Sequence, residues 1–270
     1  MQQMTLQDLR ASQLEMLKQF DKVCRENNIR YTLAGGTLLG AIRHNGYIPW
    51  DDDIDVMVPY PDYKKIVELR RNFENERFTL KIPYDKFNTL PFSYIKFCDL
   101  STRLIEFPNT KKIEYNVYID IFPCFGLPTD IKINSYLFRK CAFLCKIYDC
   151  LKISLYNKNY GVFLRKILWN FIYAISKIVS PIYILRKLEG NADFCNFDKA
   201  DFIGNATCGY GVKERFHRTS FELTEHDFEG RKYMILCGYD EYLTNLYGDY
   251  MKLPPKEQQV LRHNFLAYWL

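Results

Sequence analysis

The sequence predicts a core of alternating helices and strands, of the α+β or α/β class, joined to a separate helical region. Two observations carry this prediction: short apolar runs alternate with helix-like patterns in the first half of the chain, and helical patterns dominate residues 133–190. The chain has 270 residues, of which 48% are hydrophobic and 26% charged, and this composition excludes wholesale disorder. A protein of this size buries roughly 70–75% of its unfolded surface, so its core needs no disulfide or metal.

The first sixty residues alternate between helix and strand patterns. Apolar residues at helical spacing predict an amphipathic helix over residues 5–27, whose first residues have the spacing of a capping box. Ile29–Ala34 is a short apolar run typical of a buried strand, and Thr37–His44 has the pattern of a short helix. Asp51–Val58 alternates acidic and apolar residues, which predicts a half-buried strand.

Strands and then helices follow in the rest of the chain. The predicted elements are a helix over Tyr63–Asn72, strands at Phe78–Ile82, Tyr94–Cys98, Arg103–Phe107 and Val117–Phe122, helices within 133–190 and a helix over Tyr239–Tyr247. This order predicts a catalytic core in residues 1–130 and a helical region in residues 131–200. Residues 201–270 are expected to form a C-terminal part that packs back on the core.

Charge is unevenly distributed. The net charge of +5 is too small by itself to indicate a nucleic-acid partner. Residues 131–190 contain eleven Lys or Arg, two acidic residues and many aromatic side chains, whereas the rest of the chain is slightly acidic. This segment fits either helices on an anionic membrane surface or a helical subdomain with solvated lysines. Without a disulfide pattern, signal peptide or membrane span, we expect a cytoplasmic protein, at the inner face of the cell membrane under the first alternative.

The densest chemical signal is a run of aspartates after residue 50. Because side chains on a strand alternate between faces, Asp51, Asp53 and Asp55 are expected to project to one face. Three such carboxylates repel each other unless a cation neutralises them, and their oxygens suit Mg²⁺ or Mn²⁺. Asp120 stands in the apolar run Val117–Phe122, where a buried carboxylate needs a partner that a shared metal ion would supply. Together these acids predict a divalent metal site that clamps a phosphoryl group.

A glycine pair supplies the complementary half of a phosphate site. Gly35 and Gly36 lie between a predicted strand and a predicted helix, where backbone can approach a phosphate and free N–H groups face it. Thr37 adds a hydroxyl at the same end of the helix. Arg43 at the other end of this helix, and Lys96 in a predicted strand, are candidate partners for the phosphate oxygens of an anionic donor.

Each signal also has a simpler interpretation. An acidic run is often a solvated turn, a glycine pair is often only a turn, and a buried Asp often caps a loop. A calcium-binding loop is excluded, because Val56 stands where that loop needs glycine and Asp62 where it needs a bidentate glutamate. The combination of glycine turn, short helix, spaced acids and a later strand acid is more specific than any of its parts.

The same residues carry a resemblance to the LicD family of nucleotidyltransferase-fold enzymes. The matching segments are Ala34–Val56, Tyr118–Pro123, Gly126–Pro128 and Leu246–Pro255. The resemblance spans most of the chain and is weakest in residues 130–200. It implies a mixed β-sheet core flanked by helices, and therefore an α+β fold with an additional helical region.

The resemblance also implies a metal-dependent phosphotransferase. Such enzymes move a substituted phosphate from a CDP- or CMP-activated donor to a glycan hydroxyl, with phosphocholine from CDP-choline as the best-known case and ribitol phosphate in fukutin-like relatives. Carried onto this chain, the resemblance assigns Asp53 and Asp55 to the metal-binding pair. Asp120 matches the third carboxylate, a metal ligand and candidate base for the acceptor hydroxyl, and Asp51 matches a further acid. Gly35–Gly36 matches the turn that approaches the phosphate.

Two other functions remain open at this point. A nucleotidyltransferase that transfers NMP from an NTP shares the acids and the glycine turn. A membrane-surface or RNA-binding protein without enzymatic activity is disfavoured, because clustered acids stand beside a phosphate turn. The expected partners are therefore Mg²⁺ or Mn²⁺, a CDP- or CMP-activated donor and a free or lipid-linked glycan acceptor, with no nucleic acid. The donor head group stays open among choline, ethanolamine, aminoethylphosphonate, glycerol and ribitol.

Overall fold

The computed structural model has an α+β fold, as the sequence predicts. It describes residues 1–85, 92–106, 113–156, 174, 178–207, 210–261 and 265–270, with the side chains of 113 and 149–156 left aside. Within these ranges one mixed nine-stranded sheet forms the centre, seven α-helices accompany it, and two further strands form a separate hairpin. The helices are α1 (Leu6–Glu26), α2 (Gly35–His44), α3 (Tyr60–Glu68), α4 (Arg70–Phe73), α5 (Ile131–Tyr156), α6 (Pro181–Ala192) and α7 (Tyr239–Tyr247).

The central sheet is mixed because one internal pair of strands runs parallel. The strands are β1 (Gln2–Gln3), β2 (Thr32–Leu33), β3 (Asp55–Pro59), β4 (Phe78–Lys81), β5 (Ile95–Glu106), β6 (Ile113–Leu127), β7 (Phe202–Gly204), β8 (Phe216–His217), β9 (Leu223–Phe228), β10 (Arg231–Leu236) and β11 (Phe265–Trp269). The main path runs β1-β11-β5-β6-β3-β2, with β4 beside β5 and β7 joining β6 to β8. Strands β3 and β6 are parallel, and β9 and β10 form the separate hairpin.

Helix α1 begins at a reciprocal cap. The Thr5 hydroxyl accepts a hydrogen bond from the Asp8 N–H (3.1 Å), and the Asp8 carboxylate accepts one from the Thr5 N–H (2.8 Å). This capping box has the predicted spacing and satisfies two backbone donors at the helix start. Further along the helix, Leu9, Met16 and Phe20 are fully buried in the core, which anchors α1 against β5 and β6.

Several predicted boundaries differ from the observed ones. The helix expected over Tyr63–Asn72 starts three residues earlier as α3, because Pro59 and Pro61 flank its first residue, where a missing N–H costs no hydrogen bond. It is followed by the separate turn α4. The strands expected at Tyr94–Cys98 and Arg103–Phe107 join into β5, with a register shift between Asp99 and Leu104; Phe107 lies outside the described residues.

The second half of the chain follows its predictions in part. Helix α7 has the predicted bounds and ends at Gly248, whose positive φ of 71° favours glycine. Helices α5 and α6 lie in the segment 133–190, of which residues 157–173 and 175–177 are outside the described part. The hairpin β9–β10 and strand β11 were not predicted from the sequence. None of the helices in the described ranges is long and apolar enough to cross a membrane.

Candidate active site

The acidic run lies in a loop, not in a strand. Strand β3 begins at Asp55, and the residues from Asp51 to Ile54 precede it as irregular chain. The expected alternation of three aspartates along one strand face is therefore wrong. The loop nevertheless gathers carboxylates, since Asp51, Asp52 and Asp53 each offer an oxygen within 4.8 Å of the others. This cluster contains Asp52, whereas the strand pattern predicted Asp55 as its third member.

Side chains of helix α1 hold this loop in its irregular course. The Arg10 guanidinium donates to the backbone carbonyls of Ile48 (3.0 Å), Pro49 (3.0 Å) and Asp51 (2.6 Å). The Gln13 amide donates to the Asp52 carbonyl at 2.9 Å. These bonds satisfy carbonyls that a strand would have paired with a neighbour, and they fix the backbone from which the aspartate side chains project.

Two glycines at the start of α2 make room for the carboxylates. A Cβ on Gly36 would lie 2.7 Å from Asp51 Oδ2, and a Cβ on Gly35 would lie 3.2 Å from Asp55 Oδ2. Gly35 also has a φ of +51°, in the left-handed region that favours glycine. The glycine pair is therefore required by the close approach of acidic side chains to the N-terminus of α2, where the free N–H groups favour negative charge.

Asp55 and Asp120 are brought together by the parallel pairing of two strands. Asp55 of β3 lies opposite Asp120 of β6 in the register of the sheet. The Thr37 hydroxyl accepts a hydrogen bond from the Asp55 N–H at 2.8 Å, which ties the start of β3 to the first turn of α2. Thr37 is buried, and its hydroxyl helps to position Asp55 through this hydrogen bond.

Lys96 is buried beneath Asp120. Its ammonium group forms an ion pair with the Asp120 carboxylate, and the Lys96 side chain is 1% exposed. The same ammonium lies 3.3 Å from the centre of the Tyr118 ring and 4.0 Å from that of Phe92. Aromatic faces attract cations, and the Tyr94 hydroxyl also donates to Asp120 (3.4 Å). Lys96 thus lies among aromatic rings and forms an ion pair with Asp120. From the sequence alone it is instead predicted to be a partner of the donor phosphate.

Arg43 joins helix α2 to the C-terminal segment. Its guanidinium donates to the Tyr250 carbonyl at 2.7 Å and to the His44 imidazole at 3.0 Å. Burial lowers the pKa of Arg43. It also lowers the pKa of His44, which lies beside the Arg43 charge. The Arg43 side chain lines the cavity described below. Its bond to the Tyr250 carbonyl holds the C-terminal segment against α2.

The acidic loop opens into a cavity of about 560 Å³, within the usual size range for small-ligand sites. One side carries carboxylates and the N-terminus of α2, and the other is the C-terminal segment. The lining residues are Gly36, Leu39, Arg43, Ile48, Trp50, Asp51, Asp53, Asp55, Tyr210, Tyr247, Asp249, Tyr250, Lys252, Leu253, Pro254, Pro255 and Gln258. Gly35, Thr37, Lys96 and Asp120 are not among these lining residues, but the Asp120 side chain is 10% exposed and lies opposite Asp55, which is.

The carboxyl groups of this cavity are buried and lie close enough to repel one another. Burial, and then the charge of Asp53, raise the pKa of Asp51 to about 7. Burial also raises the pKa of Asp55 well above its usual range, with further increments from Asp53, Asp120 and Asp51. Such shifts mean that the fold places these carboxyl groups where their ionised form is poorly solvated and close to like charges. Perturbed carboxyl groups in a cleft are typical of functional sites.

These residues fit a divalent cation. The donor set is made of carboxylate oxygens, which Mg²⁺ and Mn²⁺ prefer. Two ligand oxygens of one Mg²⁺ lie about 3–4 Å apart, given metal–oxygen distances of about 2.1 Å. The oxygens of Asp51, Asp52 and Asp53 lie within 4.8 Å of one another, so small side-chain rotations bring them to that spacing. A cation among them would also relieve the carboxylate repulsion that helps to raise the pKa values of Asp51 and Asp55.

Five of the predicted site residues line the cavity, whereas the residues of one wall were not predicted. Asp51, Asp53, Asp55, Gly36 and Arg43 meet in the cavity. The opposite wall, from Tyr247 to Gln258 with Tyr210, was not assigned a role from the sequence. Its signal was the segment from Leu246 to Pro255, which carries part of the family resemblance. Trp50, next to the acids, was also missed, and it packs edge-on against His44 with ring centres 6.4 Å apart.

This chain is similar to a known protein family and to individual proteins named in that family's description. A family model described as "LicD/FKTN/FKRP, nucleotidyltransferase domain" matches residues 28–141, which include the acidic loop, the glycines and Asp120. The lipopolysaccharide cholinephosphotransferase LicD of Haemophilus influenzae is 31% identical over 274 residues, which cover 100% of both chains. The ribitol 5-phosphate transferase FKRP of mouse is 48% identical over 42 residues, 16% of this chain and 8% of that protein. The human FKRP gives the same values.

Proposed function

Because the chain belongs to the LicD family, we propose that it is a metal-dependent phosphotransferase with a CDP- or CMP-activated donor. The transferred group is a substituted phosphate of the phosphocholine type. The acceptor is a hydroxyl of a cell-surface glycan, such as lipopolysaccharide, or of its lipid-linked precursor. Full-length similarity to an enzyme named as a lipopolysaccharide cholinephosphotransferase supports the phosphotransferase activity and this acceptor class.

One observation carries the proposal: carboxylates with raised pKa values line the same cavity as the glycine-rich start of α2. The cavity has a volume usual for small-ligand sites, and one of its walls is lined with carboxyl groups. An anionic donor binds to such a wall only when positive charge is supplied. The residues that would hold Mg²⁺ or Mn²⁺ are Asp51, Asp53 and Asp55, which line the cavity, with Asp120 opposite Asp55 in the sheet. Asp52 belongs to the same carboxylate cluster but does not line the cavity. When bound, the ion neutralises the pyrophosphate and stabilises the departing nucleotide.

The chain's own residues orient the two substrates. The N–H groups at the start of α2 and the Arg43 guanidinium provide positive potential for the donor phosphates. The acceptor hydroxyl oxygen attacks the phosphorus of the transferred group, the bond from that phosphorus to the CMP oxygen breaks, and CMP leaves in line. The hydroxyl proton passes to a carboxylate, for which Asp120 is proposed. Lys96 and Tyr94 hold that carboxylate in place.

A CMP-release assay tests this proposal. The protein is incubated with Mg²⁺ and a panel of CDP- and CMP-activated donors, with and without lipopolysaccharide. We expect CMP release that chelation of the metal abolishes and that Asp53→Asn lowers by at least about 100-fold. Asp227→Asn, at an exposed aspartate of β9, is the matched control and leaves release unchanged. Full activity of the Asp53→Asn variant contradicts the metal assignment. Pyrophosphate release from CTP with no CMP release identifies the protein as a nucleotidyltransferase instead.

A further inference from the structure

Helix α5 carries an exposed face that mixes basic and aromatic side chains. Lys132, Tyr136, Lys140, Phe143 and Lys146 recur at intervals of three or four residues and are all exposed. Such spacing places side chains on one face of a helix. The opposite face is buried, and includes Leu137, Phe138, Cys141 and Tyr148. The basic residues therefore form one stripe and are not scattered around the helix.

Helix α6 repeats the pattern beside α5, against which it packs. Tyr183, Arg186 and Lys187 are exposed, whereas Ile184 and Leu188 are buried. We define the basic-aromatic face as the exposed residues of both helices. Its members are Lys132, Tyr136, Arg139, Lys140, Phe143, Lys146, Tyr183, Arg186 and Lys187.

The positive charge of this face is not neutralised by acidic neighbours in the described part of the chain. None of its six Lys and Arg residues has a carboxylate within ion-pair distance there. Among the described acids nearest in sequence, Asp130 accepts backbone hydrogen bonds at the start of α5. Asp193 lies 4.0 Å from the Lys64 ammonium, and the Glu189 carboxyl is largely buried against Tyr60. The face therefore presents six cations to solvent.

Large apolar groups stand among these cations. Phe143 is 64% exposed, Tyr136 58% and Tyr183 55%. Ile131 and Ile133 at the start of α5 are exposed too. Exposing such rings in water is unfavourable, and an apolar surface with a basic surround is typical of a binding site. Aromatic rings with flanking Lys and Arg match the boundary between lipid headgroups and acyl chains.

We propose that the basic-aromatic face docks the protein on a bilayer that contains anionic phospholipids. The six cations attract the phosphate headgroups, and Tyr136, Phe143 and Tyr183 enter the interface. The charge pattern favours an anionic surface over a neutral one. The exposed phenylalanine and isoleucines favour lipid over nucleic acid, which offers flat bases for stacking but no hydrocarbon.

Vesicle co-sedimentation tests the proposal with the full-length protein. Vesicles of phosphatidylcholine alone are compared with vesicles that also contain phosphatidylglycerol. We expect binding to the anionic vesicles only, and weaker binding as salt is raised. The variant Lys132→Gln/Arg139→Gln/Lys140→Gln/Lys146→Gln loses at least about 100-fold in affinity. Tyr136→Ser/Phe143→Ser also weakens binding while retaining every charge.

A matched control variant distinguishes the contribution of the basic-aromatic face to vesicle binding from that of total charge. Lys18→Gln/Lys22→Gln/Lys232→Gln/Lys256→Gln removes four exposed lysines elsewhere on the surface and is expected to bind vesicles like the wild type. Equal losses in the two quadruple variants, salt-independent binding by the wild type, or tighter binding to a single-stranded RNA homopolymer than to anionic vesicles each overturn the proposal. If the quadruple face variant does not fold, Tyr136→Ser/Phe143→Ser tests the same face, and its binding at wild-type affinity overturns the proposal.

Discussion

Gly36 shows how one missing side chain shapes the candidate active site. Its Cα stands so close to the Asp51 carboxylate that a Cβ would lie 2.7 Å from Oδ2. Asp51 can move away, because the carboxylate is the far end of a flexible side chain. A larger residue at position 36 therefore changes where the carboxylate lies, with little effect on whether the chain folds.

The first prediction concerns Gly36→Ala. We expect a loss of about 10- to 100-fold in CMP release, because a misplaced ligand carboxylate costs about that much. The midpoint of thermal unfolding should not fall, since alanine is favoured over glycine in a helix by about 0.8–1 kcal/mol. The matched control is Gly190→Ala in α6, where a Cβ meets nothing within 4 Å. It should stabilise the protein and leave activity unchanged; the opposite pattern contradicts this account of Gly36.

Lys96 shows a different kind of constraint, a charge that the fold buries with its partner. Ammonium, carboxylate and aromatic rings form one packed group around Asp120. Removal of one ion leaves the other without compensation in a poorly solvated place. The pair is therefore expected to matter more for stability when it is broken than when it is replaced as a whole.

The second prediction concerns Lys96→Met. We expect a loss of about 3 kcal/mol in the free energy of unfolding, since the Asp120 charge then lacks its ammonium partner. The double variant Lys96→Met/Asp120→Asn should recover at least part of that loss. Urea denaturation of the two variants and of Asp120→Asn measures the coupling. Additive losses would show that the two groups do not act as a pair.

At the scale of elements, the acidic loop is organised by a helix distant in sequence. Arg10 and Gln13 of α1 hold carbonyls of residues 48–52, and Tyr47 donates to Gln13 at 2.9 Å. Meanwhile β3 and β6 pair in parallel and set Asp55 opposite Asp120. The capping box and the amphipathic pattern of α1 could be predicted because both are local. The loop could not, because its hydrogen-bond partners lie about forty residues away in the sequence.

The contact between α6 and α3 gives the third prediction. Burial raises the pKa of Glu189 to about 7, with the Asp193 charge adding to the shift and Lys64 and a Tyr60 hydrogen bond opposing it. The folded protein therefore keeps its proton on Glu189 where the unfolded chain has lost it. Between about pH 4.5 and pH 7 the unfolded state binds fewer protons, so stability falls as the pH rises through this window.

Comparison with Glu189→Gln isolates this effect. The stability of the wild type relative to this variant should decrease from pH 5 to pH 8, measured by urea denaturation at each pH. Above about pH 7 no further change is expected from this group, because both states are then ionised. A constant difference across the range would show that Glu189 does not carry the titration.

At the scale of the whole molecule, the cavity exists only because the C-terminal segment returns to the core. Helix α7 and the residues after it form the wall opposite the acids, and β11 adds to the central sheet beside β5. Arg43 connects the two walls through the Tyr250 carbonyl. The site is thus assembled from residues more than two hundred positions apart.

The fourth prediction concerns Arg43→Ala. Without the guanidinium, the carbonyl of Tyr250 loses its partner, and the segment from Gly248 to Pro255 should exchange its amide hydrogens faster. Global stability should change little, because the link is partly exposed. Hydrogen-exchange mass spectrometry measures this. Lys252→Ala is the control, because it retains the backbone carbonyl and should leave exchange in the segment unchanged. Unaltered exchange in Arg43→Ala would contradict the linking role.

The sequence by itself determined the local and the composition-dependent features of this protein. It predicted the α+β class, the capped α1, the bounds of α7 and the segments that identify the family, since these depend on neighbouring residues and on motifs. Only the tertiary structure decided that the aspartates cluster in a loop, that Asp52 joins them, that Thr37 and Lys96 face inward, and that Tyr247 and its neighbours close the cavity. The physical reason is that these outcomes depend on hydrogen bonds and ion pairs between distant segments, which no local pattern records.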